Sequence, residues 1–278
     1  MIKKSKRSIV VSYSILILFA LVVIVPFIWM VSSSFKSQRE LFAFPPKIFP
    51  TVWKWSNYTK AMSTGSVGFG RMFLNTMEIA VTNTVFTIVF STMAAYSFAR
   101  IRFPGREFLF MLFISSMMIP VAVTMIPTFM VFSKVGLYDT YAPLILPEMF
   151  GKGFSIFLLR QFFMTVPSDL EEAAVIDGCG RLRIWATIFV PLSKPIIATL
   201  AIFTFQRAYN DFMNPIIYLN SSDKFTIQLG LAAFRNAYTT RYDLMMTGSV
   251  IALIPVVIIY LLCQKYIVKG IVMTGIKG

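Results

Sequence analysis

Between residues 9 and 31 the chain carries no charged side chain. At about 1.5 Å of rise per residue, a helix over that run crosses a hydrocarbon core of about 30 Å. Runs 72–98, 108–132, 141–163, 196–219 and 244–266 have similar reach and few charges. Backbone in lipid must satisfy its own polar groups, so such runs predict helices. Composition agrees: 57% of residues are hydrophobic and 14% are charged, against about 25% charged in a soluble domain. The fold class is an all-α integral membrane protein with six transmembrane helices. The fourth run is the weakest, because it holds Glu148, Lys152 and Arg160. Gly151 and Gly153 predict a break near its centre, tolerable where it faces protein or a water-filled cavity.

Charge sets the orientation. Lys3, Lys4, Lys6 and Arg7 precede the first run, and Arg100, Arg102 and Arg106 fill the loop 99–107. Basic residues favour the cytoplasmic side. The N-terminus, that loop, residues 164–195 and the tail with Lys265, Lys269 and Lys277 are therefore expected in the cytoplasm. The outer loop 35–71 also carries Lys36, Arg39, Lys47, Lys54, Lys60 and Arg71, so the bias is moderate. A signal peptide would open similarly, but with an apolar core of about 7–15 residues and a small-residue cleavage site. Here Pro26-Phe-Ile-Trp-Met30 follows, and the first helix reads as retained. Trp53 and Trp55 read as interfacial anchors. The net charge of +14 is explained the same way: the basic residues flank apolar runs and form no single nucleic-acid patch.

Several chemistries are excluded. The chain has no histidine, which removes Ser-His and Cys-His catalysis and imidazole metal sites. Cys179 and Cys263 make neither a disulfide framework nor a metal cluster, and both fall on the predicted cytoplasmic side. There is no G-x-x-x-x-G-K-[ST] phosphate loop. Any ATP used must be bound by another chain.

Residues 167–191 form a polar island between apolar runs. Ser168 predicts an N-cap, and Glu171 three residues later completes a capping box. Glu172, Ala173 and Ala174 favour helix, and Gly178 sits at a C-cap position. Leu182, Trp185, Ile188 and Phe189 then form an amphipathic stretch that ends at Pro191. Two short helices joined at a glycine are expected. Ala173 and Ala174 leave room for close approach by another protein. Asp169, Glu171 and Asp177 beside Arg181 and Arg183 read as surface pairs, about 0–1 kcal/mol each, or as charges that select a partner.

Polar residues inside the membrane runs are the other candidates. Arg207 and Asp211 are four apart in the fifth run, so one helix would place them on one face. Each costs about 2.5–3.5 kcal/mol toward lipid, so both are expected to face the interior. Gln206, Asn210 and Asn214 repeat every four residues beside them, and Glu78 and Asn83 of the second run could meet that face. The face either lines a translocation path or outer gate, or holds helices together by internal pairing. The Arg207–Asp211 pair leans to the latter. Pro120, Pro127 and Pro255 predict kinks in the third and sixth helices.

Glu172-Ala173-Ala174, three residues, Gly178, nine residues, then Ile188-x-x-Pro191 resembles the EAA loop of bacterial ABC importer permeases. Leu158 to Phe163, Pro191 to Pro195, Asn210 to Pro215 and the ending from Lys265 to Gly278 are similar to the carbohydrate-uptake branch, in particular its maltose-permease-type second subunit. The resemblance covers nearly the whole chain. It implies a cytoplasmic coupling helix between helices 4 and 5, with Glu172, Ala173, Ala174, Asp177, Gly178, Ile188 and Pro191 carrying contact to an ATPase. It implies one permease domain over 1–278, an extra first helix at 9–33 and a five-helix core at about 72–266. Implied partners are a homologous second permease forming a heterodimer, two ATPase subunits that bind ATP and magnesium, and an extracellular sugar-binding protein. The chain would be a multi-pass bacterial plasma-membrane protein with both termini inside, in contact with lipid and not with nucleic acid. It would hold no cofactor and catalyse nothing itself, moving a sugar or oligosaccharide inward by alternating access.

Candidate path residues are then Gln206, Tyr209, Asn210, Asp211, Asn214 and Asn83. Tyr209 stands where this family often has tryptophan, and Cys179 where it has a small residue such as alanine. The rival reading is an ion-coupled carrier or channel without an ATPase, which Glu78 and Asp211 would serve.

Overall fold

The computed structural model describes residues 6–63, 68–234 and 241–275, and these are largely helical. The chain separates into two compact units, Met1–Gly70 with Gly230–Ile254 and Arg71–Leu229 with Pro255–Gly278. Lys3, Lys4 and Lys277, placed in the cytoplasm by the charge reading, lie outside the described residues.

In the first unit, helix α1 (Lys6–Ser34) is apolar on all sides, with its side chains exposed from Ile9 to Ile28 and Ser32, Ser33 and Ser34 buried at its end. A helix apolar all round needs lipid or another protein around it. At its end the chain turns into short helices α2 (Gln38–Leu41) and α3 (Ser56–Ser63). Asn57 is buried and donates to the carbonyls of Ser34 (2.9 Å) and Lys36 (2.8 Å), which closes the turn. The rings of Trp53, Trp55 and Tyr58 surround Phe35 at 4.7–5.1 Å. Both tryptophans thus pack on the loop's own core while remaining more than half exposed.

The second unit is built on the long helix α4 (Gly68–Arg100). Then come α5 (Arg106–Ser116) and α6 (Val121–Lys134), bent by 100° at a break that ends in Pro120. The sequence predicts one kinked helix over 108–132. Instead α5 ends at Ser116, and Pro120, which lacks an N–H and has an extended backbone, stands at the start of α6.

The fourth run breaks where its glycines predict. Helix α7 (Ala142–Ile145) passes into a 3-10 turn, Leu146–Phe150, and Gly151 at φ +72° separates it from α8 (Gly153–Thr165). Helices α9 (Ser168–Ile176) and α10 (Arg181–Ile184) follow. A π-helical stretch, Trp185–Phe189, leads into α11 (Val190–Leu192) and α12 (Lys194–Tyr209). The remaining helices are α13 (Met213–Tyr218), α14 (Ile227–Ala233) and α15 (Tyr242–Gly275).

Among the described residues, four segments are long and apolar enough to cross a bilayer: Ile9–Ser34, Gly68–Arg100, Ala142–Thr165 and Tyr242–Leu262. Two bent pairs, Arg106–Ser116 with Val121–Lys134 and Arg181–Leu192 with Lys194–Tyr209, raise the number to six if each is one span. The protein is an all-helical membrane protein.

Candidate coupling loop and polar cavity

The main apolar core of the second unit positions the loop 168–191. Tyr96 and Phe98 of α4, Phe110 of α5, and Ile156, Leu159 and Phe163 of α8 form this core. Ala174 of α9, Ile184 of α10 and Phe189 complete it. Helix α9 therefore presents Ala174 inward, while Glu172, Ala173, Asp177 and Gly178 stay exposed. Leu170, Val175, Ile176 and Leu182 are also exposed, Ile176 at 86%. The outer face of the loop combines the acids Asp169, Glu172 and Asp177, the small residues Ala173 and Gly178, and exposed apolar side chains.

Gly178 ends α9 at φ +78°. Its N–H donates to Val175 O (3.0 Å), and Cys179 N–H donates to Ala174 O (2.9 Å). This pair of bonds is a Schellman motif, in which the left-handed position favours glycine. The N-terminus differs from the predicted capping box. The N-cap is Pro167 without a side-chain bond, and Ser168 Oγ donates to Asp169 Oδ1 instead (3.3 Å). Glu171 cannot turn back to cap, because its carboxylate is engaged on the inner face. Tyr96 Oη donates to Glu171 Oε1 (3.2 Å), Arg181 pairs with the same oxygen, and Arg100 Nε lies 3.9 Å from Oε2. Glu171 is buried, so its link to Arg181 is not the surface pair that the sequence suggested. Ile188 is half-buried and Pro191 exposed, in the turn that leads to α12.

Beside α9 lies an open cavity of about 660 Å³ lined by Arg100, Arg102, Arg106 and Arg181 together with Glu171 and Glu172. Arginines outnumber acids there.

The polar group of the fifth run is arranged differently from its sequence spacing. Helix α12 ends at Tyr209, and residues 210–212 are not helical. Asp211 is thus beyond the helix and does not meet Arg207. Arg207 Nη2 instead donates to Glu148 Oε2 (2.8 Å), 59 residues away. Lys152 Nζ reaches Glu148 Oε1 (2.9 Å), and Thr87 Oγ1 donates to Oε2 (2.6 Å). The carboxylate is buried between two cations and a hydroxyl. Asp211 accepts from Asn214 N (3.2 Å) and Nδ2 (2.6 Å). Asn83 Nδ2 donates to Leu144 O (3.0 Å).

Asn83, Glu148, Lys152, Arg207, Asp211 and Asn214 share the lining of a cavity of about 270 Å³. Gln206, Tyr209 and Asn210 are absent from that lining. Gln206 and Asn210 are exposed, and Asn210 Nδ2 donates to Gln206 O (2.9 Å). Tyr209 is buried and stacks on Phe205 at 5.5 Å. Glu78 is exposed. Glu148, Lys152 and Thr87 were missed as a group. The signal was present, since Glu148 and Lys152 are charges inside an apolar run, each costly unless paired.

The model of the family described as binding-protein-dependent transport system inner membrane component matches residues 87–273, which hold both the loop and most of the cavity lining. The chain belongs to this family. The permease is 36% identical over 231 residues to the arabinooligosaccharides transport system permease protein AraQ of Bacillus subtilis, covering 83% of this chain and 82% of the relative. It is 32% identical to the diacetylchitobiose uptake system permease protein NgcG of Streptomyces coelicolor, over 96% of this chain and 88% of that one. Its fold is that of a chain in the crystal structure of a bacterial ABC transporter involved in the import of the acidic polysaccharide alginate. The TM-score is 0.81 at 24% identity, with 96% of this chain and 99% of the other covered.

The protein is a multi-pass inner-membrane permease subunit of an ABC importer, working with an ATPase and a binding protein. It is a transport component and not a catalyst, and the ion-coupled alternative is set aside by family membership.

Proposed function

We propose that this permease moves a sugar or oligosaccharide inward, driven by ATPase subunits that dock on α9. The observation that carries the reading is the two-faced α9. Ala174 and Glu171 fasten its inner side, while Glu172, Ala173, Val175 and Ile176 face outward without protein cover. The named substrates of the relatives, arabinooligosaccharides and diacetylchitobiose, support the cargo class.

The permease pairs with a homologous permease as a heterodimer, with two ATPase subunits below and an extracellular sugar-binding protein above. Asp177, Gly178, Ile188 and Pro191 shape the docking loop around Glu172, Ala173 and Ala174. Asn83, Asp211 and Asn214 belong to the translocation path, and Gln206, Tyr209 and Asn210 border it in another conformation. Both termini are cytoplasmic. The chain acts as one permease domain, with the first helix an addition to the five-helix core; the family match beginning at residue 87 is consistent with that division.

The test is purification of the assembled complex, followed by a screen of sugars with the binding protein for stimulated ATP hydrolysis. A sugar or oligosaccharide should stimulate hydrolysis and accumulate in vesicles. Stimulation by amino acids or peptides, with all sugars silent, would overturn the cargo class. Single cysteines at Ser222 and Ser168, in a cysteine-free chain, should label from outside and inside respectively. Outside labelling at position 168 would overturn the topology.

A further inference from the structure

Glu171 is a buried acid next to the exposed acid of the docking helix, and three elements meet at it. Tyr96 and Arg100 come from the last turns of α4, and Arg181 comes from α10 in the same loop. Arg100 extends the connection. Its Nη2 donates to Phe163 O (2.6 Å) and to Val166 O, at the end of α8. Its guanidinium also lies over the Phe189 ring, 5.1 Å from the centroid. One carboxylate and one guanidinium thus tie α9 to the cytoplasmic ends of two membrane helices.

The tie is incomplete. Arg100 Nε is buried and has no hydrogen-bond partner among the described residues. The nearest charge is Glu171 Oε2 at 3.9 Å, outside the range of about 2.7–3.2 Å for a hydrogen bond. A shift of α9 toward α4 by about 1 Å would complete a charge-assisted bond and satisfy the buried N–H.

We propose that Glu171–Arg100 is the joint that passes motion of α9 into α4 and α8, closing when the ATPase presses on the loop. Glu171 is a positioning residue, distinct from Glu172, which faces the ATPase. A contact with an open and a closed arrangement is the kind of element through which one site biases another. The proposal rests on ATPase docking at α9, and Arg181 provides the internal control. It holds the same carboxylate from within the loop and also meets the Tyr96 hydroxyl of α4, but it makes none of the bonds by which Arg100 reaches Phe163 and Val166 at the end of α8.

The experiment uses the full complex with its binding protein in vesicles. Glu171→Gln keeps size and removes charge. The ATPase subunits should still co-purify, while hydrolysis stimulated by the loaded binding protein and sugar uptake fall about tenfold or more. Arg181→Gln should stay within about twofold of wild type, because Arg181 is more than half exposed and the Arg100 link from Glu171 to the end of α8 is left in place. Wild-type uptake in Glu171→Gln, or equal damage in both variants, would overturn the joint. Loss of the ATPase from Glu171→Gln would overturn it too, by making the residue part of docking. If Glu171→Gln does not insert, Arg100→Lys replaces it, since an ammonium cannot serve both carbonyls and the carboxylate with the guanidinium geometry. The same outcomes then apply. Failure of the docking reading shows separately: Glu172→Lys would retain the ATPase and transport normally whatever Glu171→Gln does.

Discussion

The loop 168–191 and the cavity around Glu148 are both polar, yet they are made in opposite ways. The loop's signals are consecutive: acids in the first turn, alanines in the middle and a glycine at the end. Its structure follows from bonds spanning a few residues, such as Cys179 N to Ala174 O. The cavity joins Thr87, Glu148 and Arg207, separated by 61 and 59 residues. Apart from Glu171 and Ala174, α9 turns its polar and apolar side chains outward, where a partner can reach them. The cavity satisfies its charges internally. Mutations in the loop should therefore disable coupling and spare folding, while mutations in the cavity should reach stability first.

The largest effect is expected at the cavity. Breaking a buried ion pair costs about 3–5 kcal/mol. Arg207 is about half exposed and Lys152 about a third, so Glu148→Ala should lose about 2–3 kcal/mol after solvent screening. Thermal unfolding in detergent measures this. Wild-type stability would erase the contrast between the two regions.

Next comes Gly178→Val. A branched side chain at φ +78° should cost about 1–2 kcal/mol at the helix end. A Cβ there meets nothing within 4 Å among the described residues, so the cost is backbone strain alone. Hydrogen exchange should show fraying of residues 174–179 with an unchanged global transition. A shifted global transition would make the loop part of the folding core.

A smaller effect is expected at the tie of Asp139 to residues 220–224, which belongs to neither region. Asp139 accepts from Ser221 Oγ and N, Asn220 N and Lys224 Nζ. These bonds, Ser221 first, hold its carboxyl well below the usual range. The folded value is depressed, so the contribution is present above the unfolded value of about 4 and lost as pH falls through the folded one. Asp139→Asn should flatten the stability profile below about pH 4. An acid limb identical to wild type would contradict the assignment.

The smallest effect on stability is expected for Asp211→Asn, about 0.5 kcal/mol or less, since the contact to Asn214 can persist. Uptake should nonetheless fall if Asp211 lines the path. Normal uptake at normal stability would remove it from the path.

What was readable follows the same division. Apolar runs gave the membrane class because length and lack of charge act locally. Gly178 was readable as a helix end because glycine alone enters the left-handed region without cost. Pro120 and Pro127 marked the third run, but which proline would separate the helices depends on packing. The fifth run misled for a definite reason. Periodicity of 3.6 was extended through Asn210, Asp211 and Phe212, where the helix stops, so Arg207 was matched with Asp211 and not with Glu148. Glu171 looked like a surface acid because Glu172 beside it is one. Only the position of α9 against Tyr96 and Arg100 tells the two apart.

The central claim is that the exposed face of α9 couples this permease to its ATPase. Charge reversal at Glu172, fully outside the core, measures it most directly. Glu172→Lys should insert and unfold like wild type, while pull-down of the ATPase with the permease pair and sugar uptake in vesicles are both lost. ATPase retention and uptake at wild-type levels in that variant would contradict the account.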